Sequence, residues 1–232
     1  METPHTQFFP PRRRLYLLRH GDVAYYVDGR PVPPDGVDLT EEGRRQAEAT
    51  GLALADVPFD RAVSTGLPRT DQTIRLVLGE RDLAVEQIPE LREIRGGRNE
   101  DLIATGRAQE LFINALIGPL TREDRFLAGE SFGDFQDRVL PAFRALLADP
   151  SWHNLLLVAH GATNRVILCD LIGLSIAGIG HFEQDPTCVN IIDFDAHGYP
   201  IVRLINYTVY NGIKAGDTLT TMERFFLRAQ GL

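Results

Sequence analysis

Short apolar runs that stop at a charged residue or a glycine alternate along this chain with stretches whose apolar residues return every three or four positions. Leu15-Tyr16-Leu17-Leu18 follows Arg12, Arg13 and Arg14 and ends abruptly at Arg19-His20-Gly21. A run that short with a glycine stop suits a buried strand better than a helix. Leu155-Leu-Leu-Val-Ala159 repeats the design, ends at His160-Gly161, and leads into the helical-looking stretch Ala162 to Ile172. Asp60 to Ser64 reads as a third strand, Thr65 to Thr70 as the loop and first turn of a helix, with Pro68 at a favoured helix-start position.

The remaining elements follow from the same patterns. Thr40 is a good N-cap with Glu41 and Glu42 in the first turn, and a second helix runs from about Pro68 to Leu78. An edge strand is expected at Val85 to Ile88, an irregular, partly helical insertion at 99–128 (about 95–130 at its widest), and a long helix from Ser131 to Leu147 that tolerates Pro141. Thr187 to Phe194 and Ile201 to Asn206 read as a hairpin that turns at Ala196 to Pro200, which makes His197 a turn residue. Asp217 to Arg228 is a terminal helix whose Phe225-Phe226 would dock on the body or on a partner subunit, so a homodimer is one assembly the sequence accommodates. Residues 1–13, with Pro4, Pro10 and Pro11, read as a flexible leader, and 14–232 as one domain without a linker.

The three strand ends carry the chemistry. In open α/β sheets ligands bind at the carboxyl ends of the strands, where the following helices point free N–H groups into a crevice. Neighbouring strands would bring Arg19, His20, His160 and Arg69 to one sheet edge and make an anion site. Taken alone, the first triplet also fits a helix-capping Arg and a hydrogen-bonded core His.

The order of these motifs resembles the histidine phosphatase superfamily, the phosphoglycerate mutase-like clan. The resemblance rests on Arg19-His20-Gly21, Ser64 to Arg69 with Thr73, Leu91-Arg92-Glu93, Gly129-Glu130-Ser131 and His160-Gly161, and covers about Arg14 to Asn206. It implies an α/β fold, a three-layer αβα sandwich with a mostly parallel central sheet. It also implies phosphomonoester hydrolysis through a phosphohistidine on His20, with Arg19 and Arg69 binding the phosphoryl group alongside Gly21 and Gly161. His160 would be a second, cationic donor, and Glu93, in a Leu-x-Glu frame, the general acid; Glu90, three residues earlier, is the competing carboxylate. Bidentate guanidinium groups suit a phosphoryl group whose charge lies on its equatorial oxygens.

Composition narrows the partners. A net charge of −8 argues against general affinity for nucleic acid or anionic membrane, so positive charge used for binding must be local. Nothing approaches eighteen consecutive apolar residues, and no signal peptide is read, which points to a cytoplasmic protein; Cys169 and Cys188 read as reduced core thiols, although two cysteines alone do not exclude a bridge. Two arginines beside two histidines would repel a divalent cation, and no His-x-His occurs, so no metal or other cofactor is expected. A nucleotide cradle of the Gly-x-x-x-x-Gly-Lys type is also missing.

Departures from the family pattern bear on substrate. Asp22-Val23-Ala24-Tyr25-Tyr26 stands where many relatives carry a Thr and an Asn, and Arg92, Arg95 and Arg98 either read a second negative group or are solvated and paired with Glu100 and Asp101. His181 lies in a Gly-rich loop, at the surface or within reach of the site. The stretch between Glu93 and His160 is short for a phosphoglycerate mutase, whose longer insertion keeps water out. A small phosphorylated metabolite and a phosphatase are therefore expected, with mutase-type transfer or a catalytically silent phosphoryl-ligand or protein-binding module as the alternatives.

Overall fold

Strand β1 (Arg13–Arg19) sends its side chains alternately into two apolar layers, which is why its sequence is a continuous apolar run and not an alternating one. The computed structural model describes residues 12–27, 30–216 and 218–231, so the leader expected over 1–13 lies almost wholly outside the described residues. Arg13 already belongs to β1.

After β1 come a small ribbon, β2 (Tyr26–Val27) with β3 (Arg30–Pro31), helix α1 (Glu41–Ala53), β4 (Arg61–Ser64), α2 (Pro68–Leu78) and β5 (Val85–Gln87). The insertion holds two short helices, α3 (Asn99–Ala104) and α4 (Ala108–Ile113). Next are α5 (Phe132–Ala148), β6 (Asn154–Ala159), α6 (Gly161–Leu171), the hairpin β7 (Val189–Phe194) and β8 (Pro200–Tyr207), and the terminal helix α7 (Thr221–Ala229). Thr40 caps α1 through Gly43 N, and Pro68 opens α2, as the sequence predicts. The terminal helix starts later than expected, because Thr220 and Glu223 form a reciprocal capping box that fixes its first turn.

The six-stranded sheet has the order β5-β4-β6-β1-β7-β8. Its first four strands are parallel and the β7–β8 hairpin is antiparallel, so the sheet is mostly parallel as expected. Leu15, Leu17, Leu155 and Leu157 pack under Phe135, Val139 and Phe143 of α5 and Val166 of α6. Tyr16, Leu18, Leu156 and Val158 pack on the other face with Ile74, Val77 and Leu78 of α2, along which α1 runs. Each fully buried Leu or Phe in these layers contributes about 1.5–3 kcal/mol.

This layering locates the site. β1 and β6 are adjacent, with Arg19 paired to Ala159, yet the helix after β1 and the helix after β6 cross to opposite faces. A crevice opens between the two chain exits at such a switch point.

Candidate active site

Four chain segments meet in that crevice. Arg19 and His20 leave β1, Thr65 leaves β4, Arg69 sits in the first turn of α2, and His160 caps α6. His20 N–H donates to Ala159 O (3.0 Å), so the two histidine-bearing strand ends are tied together, and the two imidazole centroids lie 5.3 Å apart. Arg19, His20, Arg69, His160 and Arg165 are 4, 2, 2, 0 and 2% exposed, so the cluster is sealed from solvent.

His20 Nδ1 lies 2.7 Å from Gly21 O. A carbonyl only accepts, so Nδ1 carries the proton and Nε2 keeps the lone pair a nucleophile needs. Burial first, then Arg69 and Arg19, push this imidazole well below its ordinary value, and it is neutral at pH 7.

His160 Nε2 is 2.9 Å from Thr65 Oγ1, which is 3.1 Å from Thr70 Oγ1; Thr70 spends its own proton on Leu67 O (2.8 Å). Thr65 must then donate to Thr70 and accept from His160, an assignment from the bonding network that leaves Nδ1 of neutral His160 as a bare acceptor. Burial, ahead of Arg69, His20 and Arg19, pushes His160 well below the usual histidine range. The second proton that the expected cationic donor needs is opposed here by burial and by the charges of Arg69 and Arg19.

Glu93 is seated on the N-terminus of α6. Its Oε1 accepts from Ile94 N (3.1 Å), Ala162 N (3.2 Å) and Thr163 N (3.2 Å), while Oε2 accepts from Ala162 N (3.1 Å). Oε2 is the oxygen turned to the cluster, since a Cβ built on Gly161 would stand 3.6 Å from it, 3.3 Å from Arg165 Nη1 and 3.8 Å from Arg19 Nε. Glycine at 161 thus keeps open the space in which these three side chains converge. Glu90 is exposed, and what it gives to the neighbourhood is its backbone carbonyl, which accepts from Arg138 (2.8 Å).

Gly21, expected beside the phosphoryl group, donates its N–H to Thr73 Oγ1 (3.0 Å), and a Cβ there would stand 2.6 Å from Gly43 O, so this glycine lets α1 approach the loop after β1. Arg95 and Arg98 pair with Glu130 and Asp101, and Arg92 donates to Thr65 O, so none of the three joins the cluster. His181 is exposed, and His197 sits in the turn of the hairpin.

Two arginines unnoticed in the sequence do contribute. Arg165, in the second turn of α6, bonds Phe182 O through Nε and Glu183 through Nη2 (2.9 Å), and its Nη1 reaches the space above Gly161. Arg138 of α5 donates to the carbonyls of Glu90, Arg92 and Glu93 (2.8, 2.7 and 2.9 Å) and is itself held by buried Glu130. It positions the loop that carries Glu93. An arginine four residues beyond Gly161, in an otherwise apolar helix, was the available signal for Arg165.

Among the described residues, the buried side-chain polar atoms without a hydrogen-bond partner are Arg19 Nε, Arg69 Nε, Arg165 Nη1, His160 Nδ1, Asn164 Oδ1 and Thr187 Oγ1. All belong to this cluster or its rim; Thr187 donates its amide to His20 O (3.2 Å) and holds a left-handed backbone (φ 52°). Three guanidinium groups with unspent donors around a neutral imidazole suit a tetrahedral oxyanion. Among the described residues no group of three or more His, Cys, Asp or Glu side chains is placed to hold a metal ion, and no helix is long and apolar enough to cross a membrane.

Comparison with known proteins leads to the same place. The adenosylcobalamin/alpha-ribazole phosphatase of Escherichia coli K12 is 30% identical over 194 residues, 83% of this chain and 95% of that protein. The acid phosphatase of Mycobacterium tuberculosis is 27% identical across 84% of this chain and 93% of its own length. The crystal structure of the alpha-ribazole phosphatase of Shigella flexneri superposes with a TM-score of 0.70 at 30% identity, covering 83% of this chain and 96% of that one. The model of the histidine phosphatase superfamily (branch 1) matches residues 15–207, and the chain belongs to that superfamily.

Proposed function

We propose that this chain hydrolyses phosphomonoesters of small metabolites by way of a phosphohistidine on His20. The observation that carries the reading is the His20 ring: Nδ1 is fixed by Gly21 O, burial and two arginines keep the ring neutral, and Nε2 is the remaining nitrogen. Nε2 attacks phosphorus as the ester P–O bond breaks, Arg19, Arg69 and Arg165 spread the equatorial charge, and Glu93 gives its proton to the departing alkoxide. Water then attacks phosphorus, the P–N bond breaks, and Glu93 takes the proton back. Relatives named as alpha-ribazole and acid phosphatases match over 95 and 93% of their own length and support hydrolysis of a small phosphorylated substrate, whereas relatives named as probable phosphoglycerate mutases match over 75% of theirs. Cys169 and Cys188 are separate buried free thiols, which accords with a reducing, cytoplasmic setting.

The test is a phosphatase screen over phosphorylated metabolites, run with and without excess EDTA, beside a 3-phosphoglycerate interconversion assay. Hydrolysis that survives EDTA and yields to vanadate is expected. His20→Ala should lower turnover by about 10⁴-fold or more and abolish acid-labile, base-stable phosphate labelling. Labelling that survives in that variant, or mutase turnover dependent on 2,3-bisphosphoglycerate that exceeds hydrolysis, overturns the reading.

A further inference from the structure

Helix α7 lies beyond the residues the family match covers, yet it is the element that closes the phosphoryl site. Thr221, Phe225 and Arg228 recur at i, i+4 and i+7 and so share one helix face. Thr221 Oγ1 donates to Glu183 Oε2 (2.8 Å) and lies 3.4 Å from Arg19 Nη1. The Phe225 ring centroid is 5.9 Å from Arg19 Cζ, and Arg228 Nη1 bonds Asp22 (2.8 Å), the residue that follows the His20-Gly21 pair. On the adjoining face Met222 enters the core and Phe226 meets Phe112 of α4 (6.4 Å), so the helix is anchored on the body and the docking of Phe225-Phe226 is intramolecular.

Across from Phe225 stands Tyr25. The two rings meet edge to face at 5.3 Å and 84°, and Tyr25 lies 6.0 Å from Arg69 Cζ. One aromatic ring therefore backs each of the two phosphoryl-binding guanidinium groups, and the rings touch each other above the site. Burial pushes the Tyr25 phenol up, against the pull of Arg69 and Arg19. The ion pair of Arg228 with Asp22 cancels the formal charge beside the rings, and Arg95 and Arg98 are engaged elsewhere. The phosphoryl-binding side chains are all but sealed, and the two rings, carried by α7 and by the segment after Gly21, are the apolar groups packed against Arg19 and Arg69.

We propose that Tyr25 and Phe225 are specificity-determining residues that receive the organic group of the phosphomonoester, favouring esters with a flat apolar or aromatic group near the phosphate over small polar ones. The inference rests on the phosphatase reading above. Edge-to-face aromatic contacts are worth about 0.5–1.5 kcal/mol beyond area burial, which corresponds to roughly a threefold to tenfold preference.

Calorimetry with benzylphosphonate and methylphosphonate measures that preference without turnover. The wild-type chain is expected to bind the benzyl compound tighter. Phe225→Ala and Tyr25→Leu, on separate segments of the chain, should each reduce the preference by about threefold to tenfold, and the double variant should lose no more than the sum. Thermal melts identify a variant that fails to fold, in which case the other carries the test. The kcat/KM ratio for 2-phenylethyl phosphate over ethyl phosphate, esters of similar leaving-group basicity, should fall in parallel. Equal phosphonate affinities in the wild-type chain, or a preference that survives both substitutions, overturn the inference and leave the phosphatase reading standing. Binding of neither phosphonate removes the phosphoryl site itself, and both readings fall.

Discussion

Arginines stand at both ends of the central sheet, and they are treated in opposite ways. At the amino end, Arg13 gives its guanidinium to the carbonyls of Trp152, Leu147 and Asp149 and stacks on the Trp152 ring at 3.7 Å. Arg14 pairs with Asp193, and Arg61 bridges Glu86 and Asp149. These groups are part-exposed and well partnered. At the carboxyl end, Arg19, Arg69 and Arg165 are almost wholly buried, each has a nitrogen with no partner, and Glu183 is the carboxylate bonded to any of them. Burying a guanidinium without full pairing costs several kcal/mol. One end of the sheet thus uses arginine to tie strands together, and the other stores unspent donors where an oxyanion would use them.

The largest expected contrast comes from Arg69. Arg69→Met removes a donor from the site, and kcat/KM should fall by about 10²–10³-fold, as for other preorganised oxyanion donors. Its buried charge has few partners beyond Pro34 O (2.6 Å), so the melting temperature should hold or rise. A clear drop in melting temperature would mean that Arg69 is a strut like Arg13, and the division between the two ends would fail.

Next in size is the acid. Glu93→Gln should slow alkyl phosphate hydrolysis by about 10²-fold and p-nitrophenyl phosphate much less, since a phenolate leaves without a proton. Glu90→Gln should leave both substrates nearly unchanged, because that side chain is exposed. The selective loss appearing in the Glu90 variant instead would move the acid to that position.

What could be read from the sequence follows from how local each signal is. The strand ends at Arg19-His20, Ser64-Thr65 and His160, the N-cap Thr40 and the Pro68 start depend on a few neighbouring residues, and they stand where the pattern puts them. Arg165 was hidden because a cation inside a helical pattern reads as a solvated face, and only the packing of α6 on both sides buries it. The task of Gly21 was missed because the backbone that crowds it, Gly43, comes from another element. The ion-pair partner of Asp22 is Arg228, 206 positions away, and no spacing rule connects them. The pull on His160 comes from burial and from arginines on three segments, so nothing local in the sequence shows that a second proton on its ring is opposed in the fold.

That charge state has a consequence for stability. His20 and His160 are both held well below the ordinary 6.5, so in the unfolded chain they take up protons at a pH where the fold keeps them neutral. The unfolded state then binds more protons, and stability falls as pH drops from about 6.5 toward the lower folded values; above 6.5 neither group changes it. The slope is at most about 1.4 kcal/mol per pH unit for each histidine. Carboxylates held low, such as Glu130, Asp185 and Asp193, act below their unfolded values of 4.5 and 3.8, outside this window. Urea midpoints measured from pH 7.5 to 5 should decline in the wild-type chain and flatten in His160→Gln. A slope indifferent to that substitution restores a cationic His160.

The smallest effect tests the amino end. Asp193 is buried and receives both Arg14 and Arg203, the latter at 2.7 Å, so Arg14→Ala leaves the carboxylate one partner and does not orphan it. Arg14 is more than a third exposed, which screens the lost attraction. The expected cost is about 1 kcal/mol in urea unfolding, the range of one exchanged charge-assisted bond, with kcat/KM unchanged within about twofold because β1 keeps its ladder to β6 through backbone bonds. Arg203→Ala should cost a similar amount, and the double variant more than the sum, because only then is a buried carboxylate left without a cation. An Arg14→Ala enzyme that keeps its stability but loses activity tenfold would show that charge at the far end of the sheet reaches the site, and the separation of the two arginine sets into struts and donors would not survive it.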